Sequence, residues 1–232
     1  MSVLVVGAGN DGLIGALERL GHTVVTVEPF AGLDPRIGSH ADLYVCSPQP
    51  GVAVIAPCQY RAAAELRKLG VETVFADCDP VSPYPGDVRL NALVSGRRIF
   101  GKTSALDPQL LNFFSSGDRI DIRQGYCRCS AVAVAENAFI TDDASAARAM
   151  RDNGAEVLEL EKGCVRLPGF DHGFFAGATG MLDRRTLGFN GSLEKSPFYA
   201  RVESFCRVYG VSAVSLSEEE LSDVGSVIAV SY

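Results

Sequence analysis

The chain has 232 residues, of which 47% are hydrophobic and 21% charged, so it can bury a sizeable core as a globular protein. Its 28 acidic and 21 basic side chains give a formal net charge of −7, and no basic cluster exceeds a pair, which argues against a nucleic-acid partner. No apolar run approaches the roughly 20 residues that span a bilayer, and no signal peptide is recognisable, so we expect a cytoplasmic protein without membrane contact. The seven scattered cysteines agree with a reducing compartment.

The first predicted element is the segment "VLVVGAGNDG", which begins a strand, helix and strand. Gly7, Gly9 and Gly12 have the G-x-G-x-x-G spacing of a dinucleotide-binding turn, and Glu28 follows at the distance of a ribose-binding acid. One interpretation is therefore an NAD- or FAD-dependent oxidoreductase. The other is structural: Gly7 and Gly9 form a tight turn from strand to helix, and Gly12 lets the helix lie close to the sheet.

The rest of the chain favours the second interpretation, because a hairpin, a helix and a third strand return about every 40 to 50 residues. The clearest copy is "CSAVAVAENAFITDDASAARAMRDNGAEVLEL". Its pattern predicts strands over 130–135 and 138–141, a helix capped by Asp142 or Asp143, and a helix end at Gly154.

Three further copies are predicted, with helix ends at Gly70, Gly117 and Gly210. The helix before Gly210 is expected to present Val202, Phe205 and Val208 on one face. The terminal "DVGSVIAVSY" lacks a helix, and the N-terminal segment lacks a hairpin, so together they complete a fifth unit. The sequence thus predicts a single α/β domain over 1–232, a five-unit α/β propeller whose ring is closed by the two chain ends.

A closed ring of five such units resembles the pentein fold, which is the α/β propeller of guanidino-group modifying enzymes such as arginine deiminase, dimethylarginine hydrolase and amidinotransferases. The likeness covers essentially the whole chain and is sharpest to an uncharacterised bacterial branch of that fold. The segments that carry it are "SHADLYVC", "DVRLNAL", "QGYCRCS", "ENAFITDD", "GFDHGFFAGATG" and "DVGSVI".

The resemblance implies a ligand site on the pseudo-fivefold axis, lined by residues near the starts of the inner strands. In that chemistry, carboxylates hold a planar guanidinium, a histidine transfers protons, and a thiolate attacks the guanidino carbon. The residues implied are ligand-binding His40, Asp42, Asp87 and Asn91, and catalytic Cys129, His172 and Asp223.

The thiol departs from the family pattern. The family's nucleophilic cysteine lies in the last unit's hairpin, near the C-terminus, and the segment "DVGSVIAVSY" contains none; its Ser226 offers a hydroxyl but is not matched to that position. Of the cysteines, only Cys127 and Cys129 are expected to face the axis, and they lie in a different unit from the family's nucleophile. The remaining thiols weighed, Cys46, Cys164 and Cys206, are expected in the core. A metal at Cys127-x-Cys129 is disfavoured, because no second pair or histidine lies nearby in the sequence.

The predicted function is therefore that of a pentein-fold protein whose acidic axial pocket takes a small cationic or amino-acid-like ligand, as a relative of the guanidino-modifying enzymes. Two alternatives stay open: a non-catalytic binder of the same fold, for a small molecule or the ribosome, and the dinucleotide-dependent oxidoreductase. The missing C-terminal thiol favours a binder, whereas the polar residues at the strand starts favour an enzyme. We expect no cofactor and no metal, and the oligomeric state is left open.

Overall fold

The computed structural model describes residues 1–232, which form five three-stranded sheets. The helices and strands in chain order are β1 (Val3–Gly7), α1 (Asp11–Arg19), β2 (Thr23–Val27), β3 (Val45–Gln49), β4 (Val52–Ile55), α2 (Tyr60–Lys68), β5 (Glu72–Phe75), β6 (Leu93–Ser95), β7 (Arg98–Gly101), α3 (Pro108–Leu111), β8 (Arg119–Asp121), α4 (Cys127–Ser130), β9 (Ala131–Ala135), β10 (Ala138–Thr141), α5 (Ala144–Asp152), β11 (Glu156–Glu159), β12 (Thr179–Asp183), β13 (Thr186–Phe189), α6 (Tyr199–Val208), β14 (Ser212–Ser215) and β15 (Ile228–Ser231). None of these helices has the length and apolar character that a bilayer crossing needs.

Every sheet has the same topology, since its central strand pairs with one antiparallel and one parallel neighbour. In four sheets the antiparallel neighbour comes from a hairpin, in the fifth it is β15 from the other end of the chain, and in every sheet the parallel neighbour follows a connecting helix. All residues of β1, β4 and β10 are buried, as expected for central strands covered on both faces. The parallel strands β5, β11 and β14 are partly exposed, so they form the outer edge of their units.

The strands that pair antiparallel with the five central strands form the inner ring. Strands β3, β6, β9, β12 and β15 contact one another in that cyclic order, and β15 returns to β3. The ring is closed through the two ends of the chain, because β15 pairs antiparallel with β1, with Leu4 opposite Ala229 and Val5 opposite Ile228. The predicted five-unit propeller with terminal closure is confirmed.

The clearest repeat folds as predicted, with a hairpin across Glu136 and Asn137 followed by α5. Asp143 is the helix cap, since its side chain accepts hydrogen bonds from the amides of Ser145 and Ala146. Asp142, the other candidate, instead accepts a hydrogen bond from the amide of Phe175 at 2.8 Å. It therefore joins this unit to the next.

Two helix predictions are wrong. Gly117 does not end a helix, because α3 is a single turn that stops at Leu111, and Gly117 lies in a separate short turn. Gly154, by contrast, follows its helix with a φ of 79°, as glycine at this position can.

The second wrong prediction concerns α6. Val208 is 73% exposed rather than buried, because α6 packs through Val202 and Cys206.

The glycine-rich segment lies outside any doubly wound sheet, because β1 has antiparallel β15 on one side and parallel β2 on the other. A Cβ atom on Gly7 would lie 1.9 Å from the carbonyl oxygen of Ser39, and Gly9 has a φ of 84°. Both glycines therefore serve a tight turn, as the structural interpretation predicts. The role expected for Gly12 is wrong, since a Cβ atom there would meet nothing within 4 Å.

Candidate functional site

The inner ring surrounds the candidate site. Five loops, one before each strand of the ring, line a single cavity of about 710 Å³. His40 comes from the loop before β3, Asp87 from the loop before β6, and Cys129 from α4 before β9. His172 precedes β12, and Asp223 precedes β15. The repeat thus brings five of the seven predicted site residues to one cavity.

The other two predicted residues, Asp42 and Asn91, are fully buried beneath the cavity and contact its floor. The thiol of Cys129 donates a hydrogen bond to Asp42 Oδ2 at 2.9 Å, and Asn91 Nδ2 lies 3.2 Å from the same sulfur. Asn91 Oδ1 accepts a hydrogen bond from the amide of Arg128 at 2.8 Å, which fixes the turn that carries the thiol. These two residues are therefore placed to position Cys129.

The environment of Cys129 keeps the sulfur protonated. Burial raises the pKa of this thiol well above its ordinary value, and the nearby charges of Asp42 and Asp223 raise it further. Because the thiolate is the nucleophilic form, this thiol is a weak nucleophile in the unliganded protein.

Asp42 is the most enclosed carboxylate of the site. Its Oδ2 accepts hydrogen bonds from Cys129 and from the hydroxyl of Ser226, the latter at 2.8 Å. Its Oδ1 is buried and has no hydrogen-bond partner. An unpartnered buried oxygen of a charged group is costly to the folded state.

His40 and Asp223 meet beside the thiol, with His40 Nδ1 lying 3.8 Å from Asp223 Oδ1. Asp223 also accepts hydrogen bonds from the amides of Phe174 and Gly225, both at 3.0 Å. Burial raises the pKa of Asp223, and the proximity of His40 opposes that rise. Gly225 permits this contact, because a Cβ atom on it would lie 2.3 Å from the Cα of His40.

His172 lines the cavity and is partly exposed. It makes no hydrogen bond to another protein group, so it is separate from the hydrogen-bonded floor. Its predicted part in proton transfer stays a prediction.

The rings of Tyr84, Tyr126 and Phe174 form an aromatic wall of the cavity, and they were not among the predicted site residues. The ring centroids of Tyr84 and Tyr126 are 5.8 Å apart, and those of Tyr126 and Phe174 are 6.1 Å apart. The Tyr126 hydroxyl donates a hydrogen bond to Asp87 Oδ2 at 2.5 Å, while Asp87 Oδ1 is buried without a partner. No lysine or arginine lines the cavity. The sequence did contain a sign of these rings, because Tyr126 lies close to the predicted Cys129 and Phe174 lies close to the predicted His172.

The other thiols lie away from the cavity. Cys127 is fully buried in an apolar cluster, where burial raises its pKa to about 12, so the expectation that it could face the axis is wrong. Cys46 and Cys206 are buried as predicted, whereas Cys164 is exposed on the surface and not in the core. Cys129 is the only cysteine that lines this cavity.

A family model described as a family of unknown function (DUF6873) matches residues 4–228. No curated protein matches the sequence. Among solved structures, an amidinotransferase of the saxitoxin biosynthetic pathway from Microseira wollei has a TM-score of 0.53, at 11% identity over 93% of this chain and 74% of that chain. A mutant of DDAH from Pseudomonas aeruginosa, in complex with citrulline, has a TM-score of 0.53, at 8% identity over 98% of each chain.

An arginine dihydrolase of the ornithine–ammonia cycle in cyanobacteria also has a TM-score of 0.53, at 12% identity over 100% of this chain and 40% of that chain. At such low identity these likenesses show a shared fold. The chain has the five-unit α/β propeller of the penteins, which confirms the fold that the resemblance implied.

Proposed function

The chain belongs to the DUF6873 family of unknown function, and from the chemistry of its axial cavity we propose that it binds a small organic cation of the guanidinium or amino-acid-like class. The observation that carries the proposal is the incomplete hydrogen bonding of the Asp87 carboxylate. Its Oδ1 is buried without a partner, in a cavity that no lysine or arginine lines. A cationic ligand would supply the missing hydrogen bond and the missing charge together.

The aromatic wall supports a flat or methylated cation. Tyr84, Tyr126 and Phe174 form a continuous row of rings in the same cavity as Asp87. An aromatic face attracts a cation by about 0.5 to 2 kcal/mol, depending on how far both are desolvated. Tyr126 also fixes the carboxylate through its hydroxyl, so Asp87 needs no reorganisation on binding.

The solved structures support the choice of ligand class. The similar structures include an arginine dihydrolase and a DDAH with bound citrulline, whose names and ligand point to amino-acid-like molecules. Because the pKa of the Cys129 thiol is raised well above its ordinary value, we expect binding without hydrolysis.

The test is isothermal titration of the protein, in the presence of EDTA, with arginine, agmatine, methylated arginines and citrulline, whose ureido side chain carries no charge. We expect a cation to bind and citrulline to bind at least tenfold more weakly. Asp87→Asn keeps an oxygen for the Tyr126 hydroxyl but removes the charge, so it should weaken cation binding at least tenfold. Asp171→Asn, which alters an exposed carboxylate outside this cavity, is the matched control.

Equal binding to the parent and to Asp87→Asn would contradict the proposal, as would the absence of binding by any cation. Product assays for citrulline, urea and ammonia run alongside the titration. Turnover that Cys129→Ser abolishes would show an enzyme whose nucleophile has moved to another unit of the ring.

A further inference from the structure

Three different metal-ligand types meet at the floor of the cavity. A ring nitrogen of His40, a carboxylate oxygen of Asp42 and the sulfur of Cys129 all lie within 4.8 Å of one another. Their residues are 6%, 0% and 2% exposed, so the cluster is enclosed by protein rather than spread over the surface. Asp223 Oδ1 lies 3.8 Å from His40 Nδ1, next to this cluster.

The hydrogen bonding of Asp42 is an independent sign that the cluster lacks a ligand. Its Oδ1 has no partner although the residue is fully buried. One of the two donors to its Oδ2 is the Cys129 thiol, and an S–H group is a weak donor. With the Ser226 hydroxyl as its one strong donor and no donor on Oδ1, this buried carboxylate keeps hydrogen-bonding capacity that a cation could use.

We infer that His40, Asp42 and Cys129 form a binding site for a single divalent transition-metal ion of the zinc type, with Asp223 as the fourth donor. The inference goes beyond the proposed function and does not rest on it. The donor set selects the metal, since thiolate and imidazole suit Zn²⁺, whereas Mg²⁺ and Ca²⁺ take oxygen donors.

The distances fit a tetrahedral site after small side-chain movements. With bonds of about 2.0 to 2.3 Å to nitrogen, oxygen and sulfur, the donors around Zn²⁺ are separated by roughly 3.3 to 3.8 Å. Cys129 Sγ and Asp42 Oδ2 are 2.9 Å apart, and the separation of His40 Nδ1 and Asp223 Oδ1 is 3.8 Å. On binding, the sulfur gives its proton to solvent and forms a bond to the metal in place of its hydrogen bond to Asp42.

The cavity gives the ion access, because His40, Cys129 and Asp223 line it and Asp42 lies directly behind. The three anionic donors exceed the charge of a divalent ion by one, and the Arg128 guanidinium, which interacts with the charges of Asp42 and Cys129, offsets the remaining negative charge. Asp87, with the aromatic wall, is not part of this donor set and stays available to an organic ligand.

Cobalt titration tests the inference. Reduced protein, stripped with EDTA and exchanged into EDTA-free buffer without any organic ligand, is titrated with Co²⁺ and monitored by absorption. We expect one Co²⁺ per chain, visible d–d bands of a tetrahedral site and a sulfur-to-cobalt charge-transfer band, all removed by added Zn²⁺. Cys129→Ser should abolish the charge-transfer band, and Asp42→Asn should weaken Co²⁺ binding at least tenfold.

The matched control is the double variant Cys78→Ser with Cys164→Ser, which removes the two exposed thiols and should leave the spectrum unchanged. Circular dichroism establishes that each variant is folded. If Cys129→Ser does not fold, His40→Gln decides, because it should keep the sulfur band but weaken binding. The absence of the d–d and charge-transfer bands would overturn the inference. It would also be overturned if the control variant lost the bands while Cys129→Ser kept them. The cobalt titration contains no organic ligand, and the titration with organic cations contains EDTA. A negative result in one therefore does not affect the other, and the two proposals are tested separately.

Discussion

Ser226 Oγ donates a hydrogen bond of 2.8 Å to Asp42 Oδ2, joining two residues that are 184 positions apart in the chain. Both side chains are completely buried. Ser226 is also the one non-glycine residue with a positive φ, at 65°. A strained backbone at a buried contact persists only where the surroundings hold it, so this contact fixes the segment before β15 against the loop before β3.

Replacing Ser226 by alanine removes the stronger of the two donors to the Asp42 carboxylate. A hydrogen bond to a charged group contributes about 1.5 to 3 kcal/mol, so we expect the free energy of unfolding in urea to fall by that amount. Ser217→Ala, at an exposed position, is the control and should change it by less than about 0.5 kcal/mol. Equal effects of the two substitutions would show that the buried contact does not stabilise the fold.

The closing strand β15 should contribute to stability through its buried side chains. Val230 is 0% exposed and packs in the largest apolar cluster, whereas Val208 on α6 is 73% exposed. We expect Val230→Ala to lower the free energy of unfolding by about 1.5 to 3 kcal/mol, and Val208→Ala to leave it nearly unchanged. Denaturant unfolding of the two variants measures the difference directly. If both behave like the parent, the strand is not part of the cooperative core.

Two glycines of the N-terminal turn should respond oppositely to alanine. Gly7→Ala places a methyl group 1.9 Å from the Ser39 carbonyl oxygen and should destabilise the protein by about 1 to 3 kcal/mol. Gly12→Ala meets open space within α1 and should stabilise it by up to about 1 kcal/mol. Thermal unfolding distinguishes them. Titration with NAD and FAD provides a second measurement, since micromolar binding lost in Gly9→Val would restore the dinucleotide interpretation.

Stability should fall with rising pH because of Asp142. Burial raises the pKa of this carboxyl from 3.8 to about 7, so the folded state holds the proton more tightly than the unfolded state. The stabilising effect is complete below about pH 4 and is lost as the pH rises through about 7.

Asp142→Asn removes the titration but keeps an oxygen for the Phe175 amide. We expect it to be more stable than the parent at pH 8, by about 1 to 4 kcal/mol, and little different at pH 4. Urea unfolding at both pH values measures this. Asp152→Asn, at an exposed site, is the control, and a gain that is the same at both pH values would contradict the explanation.

The fold was predictable because its units repeat. Each hairpin and helix is encoded locally, as in the segment from Asp143, which caps α5, to Gly154, which ends its last turn. The exceptions are elements that depend on distant packing. Gly117 follows a helix of one turn whose length the local pattern overestimated, and the exposed face of α6 at Val208 depends on which neighbouring unit the helix contacts.

The site was predictable in position but not in chemistry. The strand starts identify His40, Asp87 and Asp223, because the repeat places equivalent loops around one axis. The contact of Cys129 with Asp42 spans 87 positions and two units, so no sequence spacing indicates it. For the same reason, the sequence around Cys129 does not indicate that His40 lies beside it.

The pairing of Val3 with Ser231 has a consequence for how the chain could be rewired. The two termini lie side by side in one sheet, and the inner strands contact one another in an unbroken cycle. A circular permutant that joins the ends by a short peptide and opens the exposed turn between Arg184 and Arg185 would keep every strand pair. The architecture therefore requires a complete set of five units but no particular unit at which the polypeptide must start.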